Sequence, residues 1–274
     1  MIEIPEAINL SQQFAEAFLG KQVISVTAGY TAHGFAWYNP TPNMYPELLA
    51  GKSLTAINPL AGIVELVFED MHFCLNDGAT PHYLAPQDND PAKHQLLLRF
   101  DDNSGFYCSV RMYGGMFIYP FGETNNIYYL GAKAKPAPLS KEFTRQYFQA
   151  IVDAAEPKIS AKALLATEQR IPGLGNGVLQ DILFVAGIHP QKKLAALDSA
   201  DIDRLYTCIL EVLASMTAQH GRDVEKDLFG NPGGYHTILS SKTKNDPCPI
   251  CGGIIARKAF LGGNVYFCPV CQPL

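Results

Sequence analysis

Four cysteines near the C-terminus constrain this chain more than any other feature. They form two Cys-x2-Cys pairs, Cys248 with Cys251 and Cys268 with Cys271, separated by sixteen residues. Two such pairs bring four thiolates together in the tetrahedral arrangement that Zn²⁺ prefers, and they leave no coordination position open for catalysis. The spacing therefore predicts one structural zinc ion. The alternative is a pair of redox dithiols.

The segment between the two cysteine pairs predicts a β-hairpin. It reads GGIIARKAFLGGNVYF, with Gly and Asn at 261–264, where a tight turn requires them. Three further cysteines, Cys74, Cys108 and Cys208, stand alone, and an odd total of seven argues against a disulfide framework. We expect these three to be small buried apolar residues.

The N-terminal half predicts one helix followed by a β-rich domain. Apolar residues recur at four-residue spacing within Pro5–Gly20, which is typical of an amphipathic helix. From 22 to about 129 the chain changes to short β-rich runs, with turn signals at 76–78 and 101–103. Regularly spaced short strands with little helix predict a β-sandwich or a flattened barrel.

The C-terminal half predicts helices. A Pro-, Ala- and Lys-rich segment at 131–141 is typical of a linker, helical patterning then continues to about Gln219, and a glycine-rich stretch at 229–235 is a candidate mobile loop. The expected fold class is α+β with several domains. The expected boundaries are 1–130 for the β-sandwich, 131–141 for the linker, 142–240 for the helical domain and 241–274 for the zinc finger.

Charge is distributed unevenly along the chain. The formal net charge is −5. Residues 1–130 carry 5 Lys and Arg against 13 Asp and Glu, a net charge of −8, whereas residues 131–274 carry 16 against 13, a net charge of +3. An electrostatic footprint for nucleic acid is therefore expected in the second half. The sequence contains no apolar run long enough to span a membrane and no signal peptide, so we expect a cytoplasmic protein.

A glycine-rich junction between two predicted helices is a candidate phosphate site. Ile171–Gly177 reads IPGLGNG and directly precedes a predicted helix over Val178–Ala186. Free backbone N–H groups at such a helix start bind phosphate, and Asn176 adds a side-chain donor or caps the helix. The alternative is a purely structural turn.

The junction and the finger together resemble the formamidopyrimidine-DNA glycosylase / endonuclease VIII family. The resemblance lies in IPGLGNGVLQDILFVAGIHP, in the terminal CPICGG and YFCPVCQ, and in Glu3-Ile4-Pro5-Glu6 at the N-terminus. It implies a helix–two-turn–helix element around the junction, followed by a zinc-finger hairpin. It also implies double-stranded DNA as the partner, damaged or abasic, bound by a monomer.

The resemblance implies a catalytic N-terminus that this sequence alters. Family members flip a damaged base out of the duplex, attack C1′ with an N-terminal proline amine and transfer protons through the adjacent glutamate. Here Ile2 stands where the proline would be, so imine chemistry falls to the α-amine of Met1. The resemblance makes Glu3, Met1 and Glu6 the candidate catalytic residues. The alternative role for Glu3 and Glu6 is to complement the dipole at a helix start.

The resemblance also implies a set of DNA contacts. Phosphate-gripping positions match Asn176 and Lys162, and Gly175 belongs to the same junction. Arg111, Met112 and Tyr113 partly match a loop that fills the gap left by a flipped base, although ordinary strand packing explains them equally well.

Two family cations are missing from this chain. The arginine near the finger turn falls at Gly263 or Asn264, and the lysine between two early strands falls near Ala61-Gly62. Arg257, on the strand before the turn, is expected to compensate for the first. The leading hypothesis is thus a damage-specific DNA glycosylase. The alternatives are an inactive lesion-binding member of the family and a zinc-finger protein-interaction module.

Overall fold

The computed structural model describes all 274 residues and begins with the expected amphipathic helix. Helix α1 spans Ile4–Phe18, with Pro5 in its first turn. Leu10, Phe14 and Phe18 are buried along one face, as the four-residue spacing predicts. The chain leaves the helix through Gly20, whose φ of +83° is a conformation that glycine adopts without strain.

The N-terminal sheet has seven strands in the order β1-β6-β7-β5-β4-β3, and β2 pairs in parallel with β7. Its outer strands β1 and β3 meet at one corner through an isolated bridge between Gln22 and Ser53, so the sheet closes on itself into two layers. A short helix α2 covers Tyr45–Leu49. The strands are β1 Val23–Ala28, β2 Ala36–Asn39, β3 Leu54–Leu60, β4 Ile63–Phe68, β5 Met71–Leu84, β6 Leu96–Phe100 and β7 Gly105–Pro120.

The two long strands β5 and β7 pass from one layer to the other through a bulge. Asp77 pairs with Gly114 and Ala79 with Val110, so the single residue Gly78 lies opposite three residues of β7. A Cβ on Gly78 would approach the Tyr113 carbonyl oxygen to 2.6 Å, which explains the glycine. The prediction of a turn at 76–78 was therefore wrong: Asp77 has the positive φ of a turn residue, 54°, but inside a continuous strand.

The second half of the chain is helical, as expected. Helix α3 covers the first four residues of the expected linker, and the other helices surround a second core of 24 buried residues that includes Phe148, Leu183 and Leu213. None of the helices combines the length and apolar composition needed to cross a membrane. The helices are α3 Ile127–Ala134, α4 Arg145–Ala154, α5 Ala161–Ala166, α6 Val178–Val185 and α7 Ser199–Ala218.

The chain closes with the expected hairpin. Strand β8 spans Ala256–Phe260 and β9 spans Gly263–Phe267, in antiparallel register. Leu261 and Gly262 form the turn with φ values of 48° and 71°, the left-handed pair that suits the twist of a two-residue hairpin. Phe184 of α6 packs into the small apolar cluster of the finger, so the hairpin rests on that helix.

Candidate functional site

The four C-terminal cysteines form the predicted metal centre. The Sγ atoms of Cys248, Cys251, Cys268 and Cys271 all lie within 4.8 Å of one another. Two of the pairs, 251 with 268 and 248 with 271, are 3.4 and 3.8 Å apart. Four sulfurs about 2.3 Å from a common centre in tetrahedral geometry require separations of this size, so the site fits one structural Zn²⁺. The three single cysteines are buried elsewhere, as expected.

The finger is docked on α6 by two polar side chains. Gln180 accepts a hydrogen bond from the Tyr266 backbone N–H at 3.0 Å and donates one to the Asn264 carbonyl oxygen at 3.1 Å. Asp181, fully buried, accepts the N–H groups of Ile238 and Leu239 at 2.9 and 2.8 Å. Burial raises the pKa of Asp181 to about 6 in spite of these donors.

The N-terminal segment runs between the sheet and the helical half. The Ile2 N–H donates to the Asp77 carbonyl oxygen at 2.6 Å, and the Ile4 N–H donates to the Gly173 carbonyl oxygen at 3.2 Å. The Met1 α-amine forms an ion pair with the Glu225 carboxylate. The Ile2 nitrogen is therefore a hydrogen-bonded amide, and the one amine in this segment is held by a carboxylate.

Glu3 caps the start of α6. Its two carboxylate oxygens accept the N–H groups of Gly177 and Val178 at 2.8 and 2.7 Å. Two of the N–H groups at this helix start are thus satisfied from within the protein. Burial raises the pKa of the Glu3 carboxyl above its usual value, since desolvation outweighs the attraction of the Arg222 guanidinium 3.5 Å away.

Arg222 joins the two N-terminal glutamates and was not anticipated from the sequence. Its guanidinium donates to both Glu6 oxygens, at 2.9 and 2.8 Å, and it is only 2% exposed. Burial alone would raise the pKa of Glu6, but the adjacent guanidinium holds that pKa below its usual value. A Cβ on Gly177 would meet the Arg222 Nη1 at 1.7 Å, so the junction glycine makes room for this cation. The invariant charge of arginine suits a permanent structural pairing.

The segment before the glycine-rich stretch 229–235 is fastened to the N-terminal half. Leu228 is 1% exposed and belongs to the core of the sheet, together with residues such as Phe14 and Phe106. Its backbone N–H donates to Gln13 at 3.0 Å, and its carbonyl oxygen accepts the Tyr83 N–H at 2.8 Å.

The two expected phosphate-gripping residues contact the finger hairpin. Lys162 is 3% exposed, and its ammonium donates to the Phe260 carbonyl oxygen at 2.7 Å. Burial lowers the pKa of this lysine. The Asn176 amide donates to the Asn264 carbonyl oxygen at 3.0 Å, and its own Oδ1 is buried without a partner. Both residues therefore support the hairpin turn, where the family arginine is absent.

Arg111, Met112 and Tyr113 occupy the bulge in β7 rather than a loop. Arg111 makes no hydrogen bond or ion pair to another side chain, Met112 is 67% exposed, and the Tyr113 hydroxyl lies 3.6 Å from the Met1 sulfur. Trp37 of β2, which the sequence analysis did not single out, stacks against Tyr113 with ring centroids 5.7 Å apart. The bulge thus presents one free cation and an aromatic surface beside the N-terminus.

Packing explains why the early lysine is missing. Gly62, at its expected position, touches the Gly173 Cα, and a Cβ on Gly62 would lie 3.2 Å from that atom. A long side chain at position 62 would disrupt this contact.

In the finger, Arg257 donates to the Asn264 side chain at 2.9 Å and remains exposed. It is therefore available on the hairpin, three residues before β8 ends at Phe260.

Two family models match the C-terminal half of the chain. The formamidopyrimidine-DNA glycosylase H2TH domain matches residues 135–226. A zinc finger found in FPG and IleRS matches residues 245–274. The first match contains the junction and the Arg222 region, and the second contains all four cysteines.

Full-length relatives and solved structures agree with these matches. A formamidopyrimidine-DNA glycosylase of Brevibacillus brevis is 29% identical and covers 99% of both chains. The corresponding protein of Bacillus cereus is 25% identical over 100% of this chain and 99% of its own. The MutM (Fpg) protein of Thermus thermophilus has a TM-score of 0.82 at 22% identity, over 98% of both chains.

A further solved structure is the Lactococcus lactis Fpg in complex with DNA that contains an abasic site. It superposes with a TM-score of 0.85 at 21% identity, covering 99% of this chain and all of that one. The matched domains, the relatives of equal length and the common fold agree with one another. The chain belongs to the formamidopyrimidine-DNA glycosylase / endonuclease VIII family.

Proposed function

We propose that this protein binds damaged double-stranded DNA and releases the damaged base as a base-excision-repair glycosylase without the strand-nicking lyase step. The ion pair between the Met1 amine and Glu225 carries this proposal. An imine forms only when the amine nitrogen is free to attack a carbonyl carbon, and this ion pair holds the Met1 nitrogen on a carboxylate instead. The Ile2 nitrogen is an amide and offers no alternative nucleophile.

Base release without an imine requires an activated water and a proton donor. Glu3 lines the cleft between the two halves of the molecule, and burial raises the pKa of its carboxyl. A carboxyl whose pKa is raised holds a proton more readily than an ordinary glutamate, so we assign it the proton transfers of a hydrolytic glycosylase. We assign Glu6 a positioning role, because both of its oxygens bind Arg222.

Several residues support DNA as the partner. Arg111 and Arg257 are exposed cations, and Met112 is an exposed apolar side chain on the bulge. An apolar wedge beside a cation is a common means of filling a gap in a base stack. The Lactococcus lactis protein of the same fold binds abasic DNA. A DNA target implies that this protein works in the cytoplasm, at the nucleoid.

One observation favours a second candidate function, lesion binding without catalysis. Both Glu3 oxygens already accept backbone N–H groups, and this arrangement also serves as a plain helix cap. A protein of this kind would bind damaged DNA and protect it. The two candidates differ in base release and agree in DNA affinity.

Borohydride trapping and base release, measured on the same damaged duplexes, separate the candidates. We expect base release by the wild type with no trapped adduct. Glu3→Gln should abolish release while DNA affinity is kept, and Glu16→Gln, an exposed glutamate on the same helix, should behave as wild type.

Each other outcome has a definite meaning. A trapped adduct in the wild type contradicts the absence of a lyase step. Tight binding of damaged DNA without release of any base identifies the lesion-binding candidate. A failure to bind DNA even at low salt, where phosphate contacts are strongest, rejects both.

A further inference from the structure

A second cavity of the molecule lies between the end of β7 and helix α3. It has no lining residue in common with the cleft that contains Met1 and Glu3. Its volume is about 160 Å³. An apolar cavity of about 150 Å³ holds one benzene ring, so this cavity has room for a molecule of similar size.

Two residues that line this cavity, His72 and Tyr129, bind a buried carboxylate. Glu65 of β4 is 1% exposed, and its Oε2 accepts a hydrogen bond from the Asn58 amide at 2.8 Å. Its Oε1 accepts the Tyr129 hydroxyl and the Nδ1–H of His72, which lies 2.7 Å away. Burial alone would raise the pKa of Glu65, but these hydrogen bonds hold that pKa below its usual value. Glu65 is therefore a charged group whose contacts fasten α3 to the sheet.

Two polar groups of the cavity have hydrogen-bonding capacity that the protein does not use. His72 donates to Glu65 through Nδ1, and Nε2, on the other edge of the ring, makes no hydrogen bond. The Lys133 ammonium lies 3.6 Å from the Glu65 Oε1 and makes no hydrogen bond, and its side chain is 43% exposed. Since both side chains line the cavity, a ligand inside it has access to Nε2 and to the N–H donors of the ammonium.

The charges of the cavity favour an anion. Lys133 and His72 are its only basic residues, and no aspartate or glutamate side chain lines it. The Glu65 carboxylate behind them is already compensated by its hydrogen bonds and by Lys133. An oxyanion in the cavity would gain an ammonium partner, whereas a cation would be repelled by it.

The exposed part of the cavity wall is apolar. Phe121 is 74% exposed, and its ring centroid lies 5.3 Å from that of His72. Leu130 of α3 is 46% exposed and lines the same cavity. Small-molecule sites combine such apolar walls with a few polar groups that orient the ligand. An inorganic anion would leave this wall uncovered, whereas an anion attached to a ring uses both parts of the site.

We infer that this cavity binds a small carboxylate that carries an apolar ring. Lys133 and His72 hold the carboxylate, and Phe121 and Leu130 cover the ring. The site goes beyond the proposed action on DNA, because none of its lining residues belongs to the cleft or to the DNA contacts described above.

The His72 contact couples binding to pH. A histidine that donates through Nδ1 donates through Nε2 as well only after it takes up a second proton, so a carboxylate at Nε2 binds more tightly as pH falls. The titratable groups that face this imidazole are Glu65 from β4, Tyr129 and Lys133 from α3, and Tyr119, its partner on β7.

These neighbours keep their charge between pH 6 and pH 8. The pKa of Glu65 lies below its usual value, and burial raises the pKa of Tyr119 to about 12 and that of Tyr129 further still. A pH dependence of binding in this range therefore reports on His72.

Titration of the full-length, zinc-bound protein with benzoate tests the inference. We expect saturable changes in the backbone amide chemical shifts of residue 72 and of residues 119–133, with tighter binding at pH 6 than at pH 8. Benzyl alcohol has the ring without the charge, and inorganic phosphate has the charge without the ring. Each should bind at least about tenfold more weakly, as the loss of a charged or an apolar contact implies.

Matched variants complete the design. Lys133→Gln should weaken benzoate binding about tenfold, and Lys133→Arg should retain most of it. Lys141→Gln removes the same charge from an exposed residue outside the cavity and should have no effect. His72→Gln should remove the pH dependence. Because Lys133 is partly exposed, we expect its variants to fold, and the wild-type titration at two pH values needs no variant.

Each contrary outcome rejects a stated part of the site. The absence of saturable shifts at these residues rejects the site itself. Equal affinity for benzyl alcohol, or unchanged binding in Lys133→Gln, rejects recognition of the charge. Equal affinity for phosphate rejects the role of the ring, and equal affinity at the two pH values rejects the role of His72. None of these results bears on the proposed function, which is measured separately on damaged duplexes.

Discussion

The finger and the N-terminal segment both dock on α6, and they do so by different physical means. The finger uses Gln180 and Asp181 on the flank of the helix, and a metal centre completes its fold. The N-terminal segment places Glu3 on the first N–H groups of the helix and needs the buried cation Arg222 to balance its charges. Both regions are therefore held on the same helix, the finger by polar contacts and the N-terminal segment by buried charges.

The comparison shows that charged residues proposed for catalysis also hold the fold together. Glu3 and Glu6 join the N-terminus to the start of α6 and to Arg222, which follows α7. The finger carries no comparable ambiguity, because four thiolates leave no role beyond structure.

The largest expected effect is the loss of the metal. Cys268→Ser should reduce bound zinc from one ion per chain to none and unfold the finger, since structural zinc contributes roughly 10–16 kcal/mol in isolated finger peptides. Zinc analysis and hydrogen exchange over 245–274 measure this. The control Cys208→Ser changes a buried thiol of α7 and should keep the zinc. A variant at 268 that retained full zinc and normal exchange would show that the finger is not organised by the metal.

The second largest effect is expected on removal of the buried cation Arg222 from the N-terminal region. Arg222→Met should lower the free energy of unfolding by about 3–5 kcal/mol, because it leaves the Glu6 and Glu3 carboxylates buried without a counter-ion. Urea denaturation measures the change. The control Arg145→Met breaks an exposed pair with Asp203, 2.6 Å apart, and should cost less than about 1 kcal/mol. Equal losses in the two variants would mean that the N-terminal charges do not hold this region together.

The contact between Asp181 and the backbone of residues 238 and 239 should lose stability as pH rises. An ordinary carboxylate cap gains stability as pH rises. Burial raises the pKa of Asp181 from 3.8 to about 6, so the folded protein binds this proton more tightly than the unfolded chain does. Stability therefore falls as pH rises from about 4 to about 6, by up to about 3 kcal/mol.

Asp181→Asn removes that titration. The difference in unfolding free energy between wild type and variant, measured by denaturation at pH 4.5 and at pH 7, should shift in favour of the variant at the higher pH. An unchanged difference would contradict a raised pKa at this contact.

The smallest change in stability is expected on breaking the ion pair of the N-terminal amine. A borohydride-trapped adduct is the more informative readout of that change. Glu225→Gln should cost less than about 1 kcal/mol, because the ion pair is 35% and 30% exposed on its two sides. It should also release the Met1 amine, so a borohydride-trapped adduct with abasic DNA should appear where the wild type forms none. Identical adduct levels in the two proteins would show that Glu225 does not control the amine.

Much of this fold could be predicted because its signals are local. The cysteine spacing, the Leu261-Gly262 turn and the apolar face of α1 each lie within a short stretch of sequence. The same local signal also misled at 76–78, where the positive φ at Asp77 lies in a continuous strand beside the bulge of β7 instead of in a turn between strands. The local sequence favours a positive φ at this position, and long-range strand pairing decides whether the residue lies in a turn or beside a bulge.

The candidate site depended on contacts that no local pattern encodes. Glu6 and Arg222 are 216 residues apart, and Met1 and Glu225 are 224 residues apart. In the sequence, Arg222 follows Gly221 and has no feature that distinguishes it from an exposed arginine. The one usable signal for Trp37 was its rarity, since the chain has no other tryptophan. Distant charge pairs appear only once the fold brings their elements together.

Each half of the molecule also contributes a residue to the core of the other half. Leu228, from the C-terminal half, completes the core of the sheet, and Ile4, from the N-terminal helix, belongs to the helical core. A cut between the halves would therefore leave a cavity in each, and cavities in a core are costly. The protein is consequently a poor candidate for domain shuffling: its halves have to be inherited, synthesised and unfolded together.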